Sequence, residues 1–68
     1  MIYSWREPDT GAQRISNVAP SWYRPDGEVV GPRVVVTLNR RVVDDTSWPL
    51  AQRLEAKQRR EQRSSPRR

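Results

Sequence analysis

The distribution of glycine, proline and β-branched residues divides this chain into two parts that must fold differently. Residues 50–63 contain none of these residues, whereas all three glycines and five of the six prolines lie at or before position 49. Glycine and proline interrupt regular elements, and β-branched side chains favour strands over helices. The chain therefore predicts a single C-terminal helix that follows a region of short strands and turns.

The region before the helix indicates an antiparallel arrangement of strands. Residues 2–6 alternate as a strand does, and residues 12–18 follow a Pro-Asp-Thr-Gly turn as the hairpin partner. A second aromatic strand is expected at 21–24. The strongest strand signal is the valine-rich stretch at 33–38, and Val42-Val43 either extends this strand past a bulge or begins another strand.

These signals predict an α+β fold, with a small twisted antiparallel sheet of three to five short strands over residues 2–43. One helix over about 47–63 is expected to pack its first half against the sheet and then to project into solvent. The chain would form one domain, with a neutral body at 1–46, a basic helix at 47–63 and a disordered basic tail at 64–68. The predicted core consists of Trp5, Ile15, Trp22, Val34, Val36, Leu38, Val43, Trp48, Leu50 and Leu54.

The charge of the chain is distributed unevenly. Residues 1–46 contain six arginines and six acidic residues, whereas residues 47–68 contain seven cations and two acidic residues. The whole net charge of +5 therefore lies in the last 22 residues. This asymmetry describes a neutral body with a cationic extension, and it points to an anionic partner.

Several classes of function are disfavoured by what the chain does not contain. There is no cysteine and no histidine, so a disulfide framework, a thiolate metal site and the commonest nucleophile–base pairs are excluded. We therefore expect no enzyme activity, no metal and no cofactor. No apolar run approaches the ~20 residues that span a bilayer, and no signal peptide is recognisable, so a cytoplasmic or virion-associated protein is expected without membrane contact.

The basic helix supplies the candidate binding residues. On a helix, Arg53, Lys57 and Arg60 form one row, and Arg59 and Arg63 form a second row beside it. Such a face can follow a phosphate backbone, because each neutralised phosphate releases a counterion. The predicted nucleic-acid-binding residues are therefore Arg53, Lys57, Arg59, Arg60 and Arg63, with Arg40 and Arg41 as auxiliaries.

Two readings of the partner remain open at this point. The first is a small accessory protein that binds DNA or RNA with little sequence preference. The second is a small protein-binding subunit that contacts an acidic protein surface, such as a cement or adaptor in a virion or a phage-type inhibitor of a host enzyme. Tryptophan, tyrosine and arginine dominate the energetics of protein interfaces, which supports the second reading.

One fragment resembles a known family. Tyr3-Ser4-Trp5-Arg6-Glu7-Pro8-Asp9-Thr10-Gly11 is similar to the first hairpin of the arm-binding domain of phage tyrosine recombinases. The resemblance implies a three-stranded sheet backed by one helix, with the sheet docked in the DNA major groove. It covers only these nine residues, and the chain then departs from the family through an extra turn and a valine-rich strand.

Overall fold

The structure is a computed structural model that describes residues 1–64, with the side chains of residues 1–61. Four strands and one helix follow each other along the chain. The elements are β1 (Ile2–Arg6), β2 (Gln13–Ser16), β3 (Val34–Leu38), β4 (Arg41–Asp45) and α1 (Leu50–Ser64). The predicted α+β fold is confirmed. Of the tail predicted at 64–68, Ser64 belongs to the helix, and residues 65–68 lie outside the described residues.

The four strands form one antiparallel sheet in the order β2-β1-β3-β4. Trp5 of β1 is aligned with Arg14 of β2 on one side and with Val34 of β3 on the other. Directly aligned residues in neighbouring strands point to the same face of a sheet. The register therefore defines which side chains share each face.

Val42-Val43 belongs to a separate strand, which is the second of the two predicted alternatives. β3 and β4 are joined by Asn39 and Arg40, whose φ angles are 53° and 68°. Positive φ at both central residues is what a two-residue type I′ hairpin turn requires. The register shifts between Val36 and Thr37, so the pairing of β3 with β4 contains a bulge.

The sheet has two different faces. The covered face carries the aligned residues Tyr3, Trp5, Val34, Val36 and Asp44. The open face carries the residues that alternate with them. The open-face residues used below are Ile2, Ser4, Arg6, Gln13, Ile15, Val35, Thr37, Val42 and Asp45, and Arg33 directly precedes β3 at the end of this face.

The covered face is packed by an irregular segment rather than by the strand predicted at 21–24, so that prediction is wrong. The backbone N–H of Tyr23 donates to the carbonyl of Pro20 within a turn, and no strand is assigned there. The ring of Tyr23 packs edge-on against Tyr3 at 5.5 Å, and Trp22 packs edge-on against Trp5 at 5.9 Å. The aromatic side chains therefore reach the sheet from a loop.

The predicted core is correct at its centre and wrong at two positions. Val34 and Val36 are fully buried, whereas Ile15 is 69% exposed and Leu54 is 37% exposed. Ile15 is aligned with Ser4 and therefore lies on the open face. Leu54 lies on the outer side of the helix, next to the buried Arg53. The remaining predicted core residues are half-buried: Trp5, Trp22, Leu38, Val43, Trp48 and Leu50.

Helix α1 begins three residues later than predicted and stays beside the body for longer. Trp48 N–H donates to the carbonyl of Asp45 in the connection that precedes the helix. The helix then runs back alongside β4, since Arg53 contacts Asp44 and Arg60 contacts Val43. The predicted departure into solvent halfway along the helix is therefore wrong as far as Arg60. Within residues 1–64, no helix is long and apolar enough to cross a membrane.

Candidate nucleic-acid interface

Arg53 was predicted to contact phosphate, and the structure contradicts this because its side chain is only 2% exposed. Its Nε and Nη2 donate to the two carboxylate oxygens of Asp44, at 2.9 and 3.1 Å. Nη1 and Nη2 also donate to the carbonyls of Gly27 and Arg24. Arg53 therefore links the helix to β4 and to the loop at 24–27, and it is not one of the exposed cations.

Asp44 is the acceptor around which this interior contact is organised. Tyr23 Oη donates to Asp44 Oδ2 at 2.5 Å, from the loop side of the carboxylate. Burial alone would raise the pKa of Asp44, but the hydrogen bonds from Arg53 and Tyr23 hold that pKa below its ordinary value. Burial, followed by the hydrogen bond to this carboxylate, raises the pKa of the Tyr23 phenol. The carboxylate is therefore charged and the phenol neutral at pH 7.

The exposed helical cations are partly matched by acids on the same helix. Lys57 Nζ contacts Glu61 at 2.8 Å, and Arg59 contacts Glu55 at 3.2 Å, both with the i, i+4 spacing. The hydrogen bond to Glu61 raises the pKa of Lys57. These are surface ion pairs, which contribute little to stability and are weakened by salt. They hold the cations in place without burying them.

Arg60 links the helix to the sheet while leaving part of its side chain accessible. Its Nη1 donates to the carbonyl of Val43 at 3.2 Å, and the residue is half-buried. Arg63, the fifth predicted contact on the helix, lies in the described helix, but its side chain lies outside the described residues.

Arg40 and Arg41 differ from the helical cations. Both are exposed at the turn between β3 and β4. Within residues 1–61, neither side chain takes part in a hydrogen bond or an ion pair. Among the predicted residues whose side chains the structure describes, the two auxiliaries are therefore the most available cations.

Both groups of cations adjoin β4, which is an edge strand of the sheet. Arg40 and Arg41 lie at the turn where β4 begins, and the helix packs on β4, where Arg60 donates to the carbonyl of Val43. We call this region the cationic end. It comprises Arg40, Arg41, Lys57, Arg59, Arg60 and Arg63.

The described residues hold no other constellation with an evident chemistry. Among residues 1–61, no group of three or more acidic residues is placed to hold a metal ion. The chain matches no protein-family model, and no match was found among the curated proteins or among the solved structures.

Proposed function

We propose that this protein is a small, non-enzymatic nucleic-acid-binding accessory protein whose cationic end contacts phosphates. The observation that carries the proposal is the hairpin turn, which presents two adjacent arginines that have no hydrogen-bond or ion-pair partner within residues 1–61. Arginine donates bidentately to phosphate, and its charge is retained at any physiological pH.

The backbone conformation of Arg40 also supports a phosphate contact at the hairpin turn. The second central residue of a type I′ turn is most favourably glycine, because an L-side chain at positive φ is strained. At φ 68°, Arg40 costs roughly 1–2 kcal/mol relative to an unstrained conformation. An arginine at such a position favours a contact that requires its guanidinium, since local strain is concentrated at functional sites.

The helical cations of the cationic end can exchange their glutamate partners for phosphates. Exposed i, i+4 pairs such as Arg59–Glu55 contribute only about 0.3–0.5 kcal/mol each. A phosphate that displaces the glutamate gains a charge-assisted hydrogen bond and releases a counterion. The internal pairing of Lys57 and Arg59 therefore lowers the affinity of this surface without preventing binding.

Little sequence preference is expected. Tyr3, Trp5, Trp22 and Tyr23 pack against one another on the covered face, so these rings are not available to stack on bases. The cations of the cationic end contact phosphate, and phosphate contacts fix position without reading sequence.

The proposal is tested by the salt dependence of binding to a labelled DNA duplex and to a matched RNA duplex, between roughly 50 and 300 mM salt. About five phosphate contacts predict a log–log slope near −4.5 on duplex DNA. An affinity that does not change with salt, or no binding at low salt, would overturn the proposal.

The variant Arg40→Gly is expected to weaken the binding of DNA without destabilising the fold. Glycine relieves the positive φ, so we expect the melting temperature to rise, while the loss of one phosphate contact reduces the slope by about 0.9. The matched control is Arg14→Gln, which removes one positive charge from the opposite edge of the sheet and should leave the slope unchanged. Equal effects of the two substitutions on binding would contradict a localised site.

A further inference from the structure

The open face of the sheet is a second surface, separate from the cationic end. We infer that it binds an acidic amphipathic helix of a partner protein, with apolar contacts in its middle and carboxylate contacts at one end. A sheet face that carries apolar side chains is normally buried against another layer. Within residues 1–61, the helix bonds to Asp44 and the irregular segment packs on Tyr3 and Trp5, all on the covered face, while apolar residues of the open face stay exposed.

The apolar part of the open face spans all four strands. Ile15 of β2, Ile2 of β1 and Val42 of β4 are 69%, 45% and 51% exposed, and the half-buried Val35 and Thr37 of β3 lie between them. The register aligns Ile2 with Thr37, and Thr37 with Val42, so these side chains form a continuous row. A continuous apolar row on a surface is typical of an interaction site, whereas scattered single residues are not.

A groove of about 270 Å³ lies beside this row and is lined mainly by hydrogen-bond donors. Arg6, the last residue of β1, and Arg33, which directly precedes β3, are the next residues beyond the aligned pair Trp5–Val34, and both line this groove. The complete lining is Ser4, Trp5, Arg6, Gln13, Pro32, Arg33 and Val35.

The charge of the groove selects an acidic occupant. Arg6 donates to the carbonyl of Gly11 and has no ion-pair partner within residues 1–61, and its side chain is exposed. Arg33 pairs with Asp45, which is only 4% exposed, so an incoming group meets the guanidinium rather than the carboxylate. A carboxylate at this end of the face would gain a charge-assisted hydrogen bond from Arg6 and would supply the charge that Arg6 lacks.

The same features disfavour the two other occupants. A second copy of the chain that docked face to face would bring together two surfaces that carry the same positive charge. Nucleic acid is disfavoured because the accessible centre of the face is aliphatic, and the aligned tyrosine and tryptophan of β1 point to the covered face. An acidic helix with an apolar stripe can place its apolar side chains on the row and a carboxylate in the groove.

The test uses a fluorescein-labelled helical peptide of roughly 18 residues, about five turns, with leucine on one face and glutamate on the other. The control peptide has the same sequence with lysine in place of every glutamate. Saturable binding of the acidic peptide to the full chain is expected, together with amide shift changes in β1, β2 and β3 measured by NMR. Equal binding of both peptides, or shift changes confined to the cationic end, would overturn the inference.

Matched substitutions localise the binding. Ile15→Ser and Arg6→Gln are each expected to weaken the binding of the acidic peptide about fivefold, or more. Val30→Ser and Arg24→Gln are the controls, because both residues are exposed in the irregular segment, and they should leave the affinity unchanged. A dimer that forms without peptide and is abolished by Ile15→Ser would show that a second copy occupies the face, and would refute the inference.

The two proposals fail independently in this design. A DNA duplex bound at the cationic end should not displace the acidic peptide from the open face, and Arg40→Gly should not alter peptide affinity. Displacement of the peptide by DNA at equal occupancy would show a single shared anion site and would contradict a separate open-face site.

Discussion

At the scale of single residues, Asp44 explains why the predicted phosphate contact of Arg53 is wrong. The spacing of Arg53, Lys57 and Arg60 correctly places them in one helical row, but that row faces the body. Arg53 is buried, and Lys57 and Arg60 are half-buried. Asp44 is aligned with Val36 on the covered face, and a buried carboxylate requires a cation. Charge counting along the sequence cannot reveal this requirement, because it depends on the register of β4.

The Asp44–Arg53 contact leads to a prediction about stability. Arg53→Ala leaves the buried carboxylate of Asp44 without its cation, so we expect a loss of about 3–5 kcal/mol in the free energy of unfolding. Arg59→Ala, which removes an arginine from an exposed pair, should cost less than about 1 kcal/mol. Urea denaturation followed by tryptophan fluorescence measures both. Similar costs for the two substitutions would mean that the interior contact is not what holds the helix.

Asp45 gives the fold a defined sensitivity to acid. The hydrogen bond from Arg33, aided by Ser47, lowers the pKa of Asp45 from 3.8 to about 2, against the effect of burial. A carboxyl whose pKa is lower in the folded state stabilises the fold above its unfolded pKa, and this stabilisation is lost as the pH falls through the folded value. We therefore expect the urea midpoint to fall between about pH 4 and pH 2.

Asp45→Asn is the variant that checks the source of this acid dependence. The amide does not titrate, so the dependence of the midpoint on pH should be shallower between pH 4 and pH 2 than in the parent chain. The part that remains is expected from Asp44, whose pKa is also lowered. An unchanged pH dependence would show that the Arg33–Asp45 pair does not form in solution.

At the scale of elements, the strands with alternating or β-branched sequences were predictable and the aromatic loop was not. The positions of β1, β2 and β3 followed from local patterns, and the glycine-free stretch predicted α1. The stretch at 21–24 has a similar composition to β1, including the Ser-Trp pair that both share. Its backbone nevertheless turns at Tyr23. Burial of Trp22 and Tyr23 on the sheet is a tertiary effect, and local propensity does not encode it.

Gly31 allows the indole of Trp22 to pack directly against the backbone of the irregular segment. A Cβ at this position would lie 2.7 Å from Cδ1 of Trp22, and the φ of +149° disfavours any side chain. Gly31→Ala is therefore expected to lower the free energy of unfolding by about 2–4 kcal/mol, through strain and overpacking. Thermal unfolding followed by near-ultraviolet circular dichroism measures this loss and reports directly on the indole.

Gly27 provides the matched control for this substitution. An added Cβ at Gly27 meets nothing within 4 Å, so Gly27→Ala should be neutral or stabilising by up to about 1 kcal/mol. If Gly27→Ala destabilised the chain as much as Gly31→Ala, the loop would not be held as the structure describes.

At the scale of the whole molecule, one interior contact joins three segments that are distant in sequence. Asp44 belongs to β4, Tyr23 to the irregular segment and Arg53 to the helix. Only two apolar side chains, Val34 and Val36, are both buried and fully enclosed within residues 1–61. A core of this size gives little stability on its own, so the fold depends on the three segments remaining together. The composition predicted a small core, but not the polar contact that completes it.

This dependence predicts that the chain unfolds in one step. If α1 detached alone, it would leave Asp44 buried without its cation, so the helix and the aromatic loop should be lost together. We expect the loss of helical circular dichroism at 222 nm and the change in tryptophan fluorescence to coincide on heating. The same reasoning predicts that a chain ending at Pro49, which lacks α1, does not fold. A separate helical transition at lower temperature, or a folded truncated chain, would show that the sheet and its aromatic loop are stable without the helix.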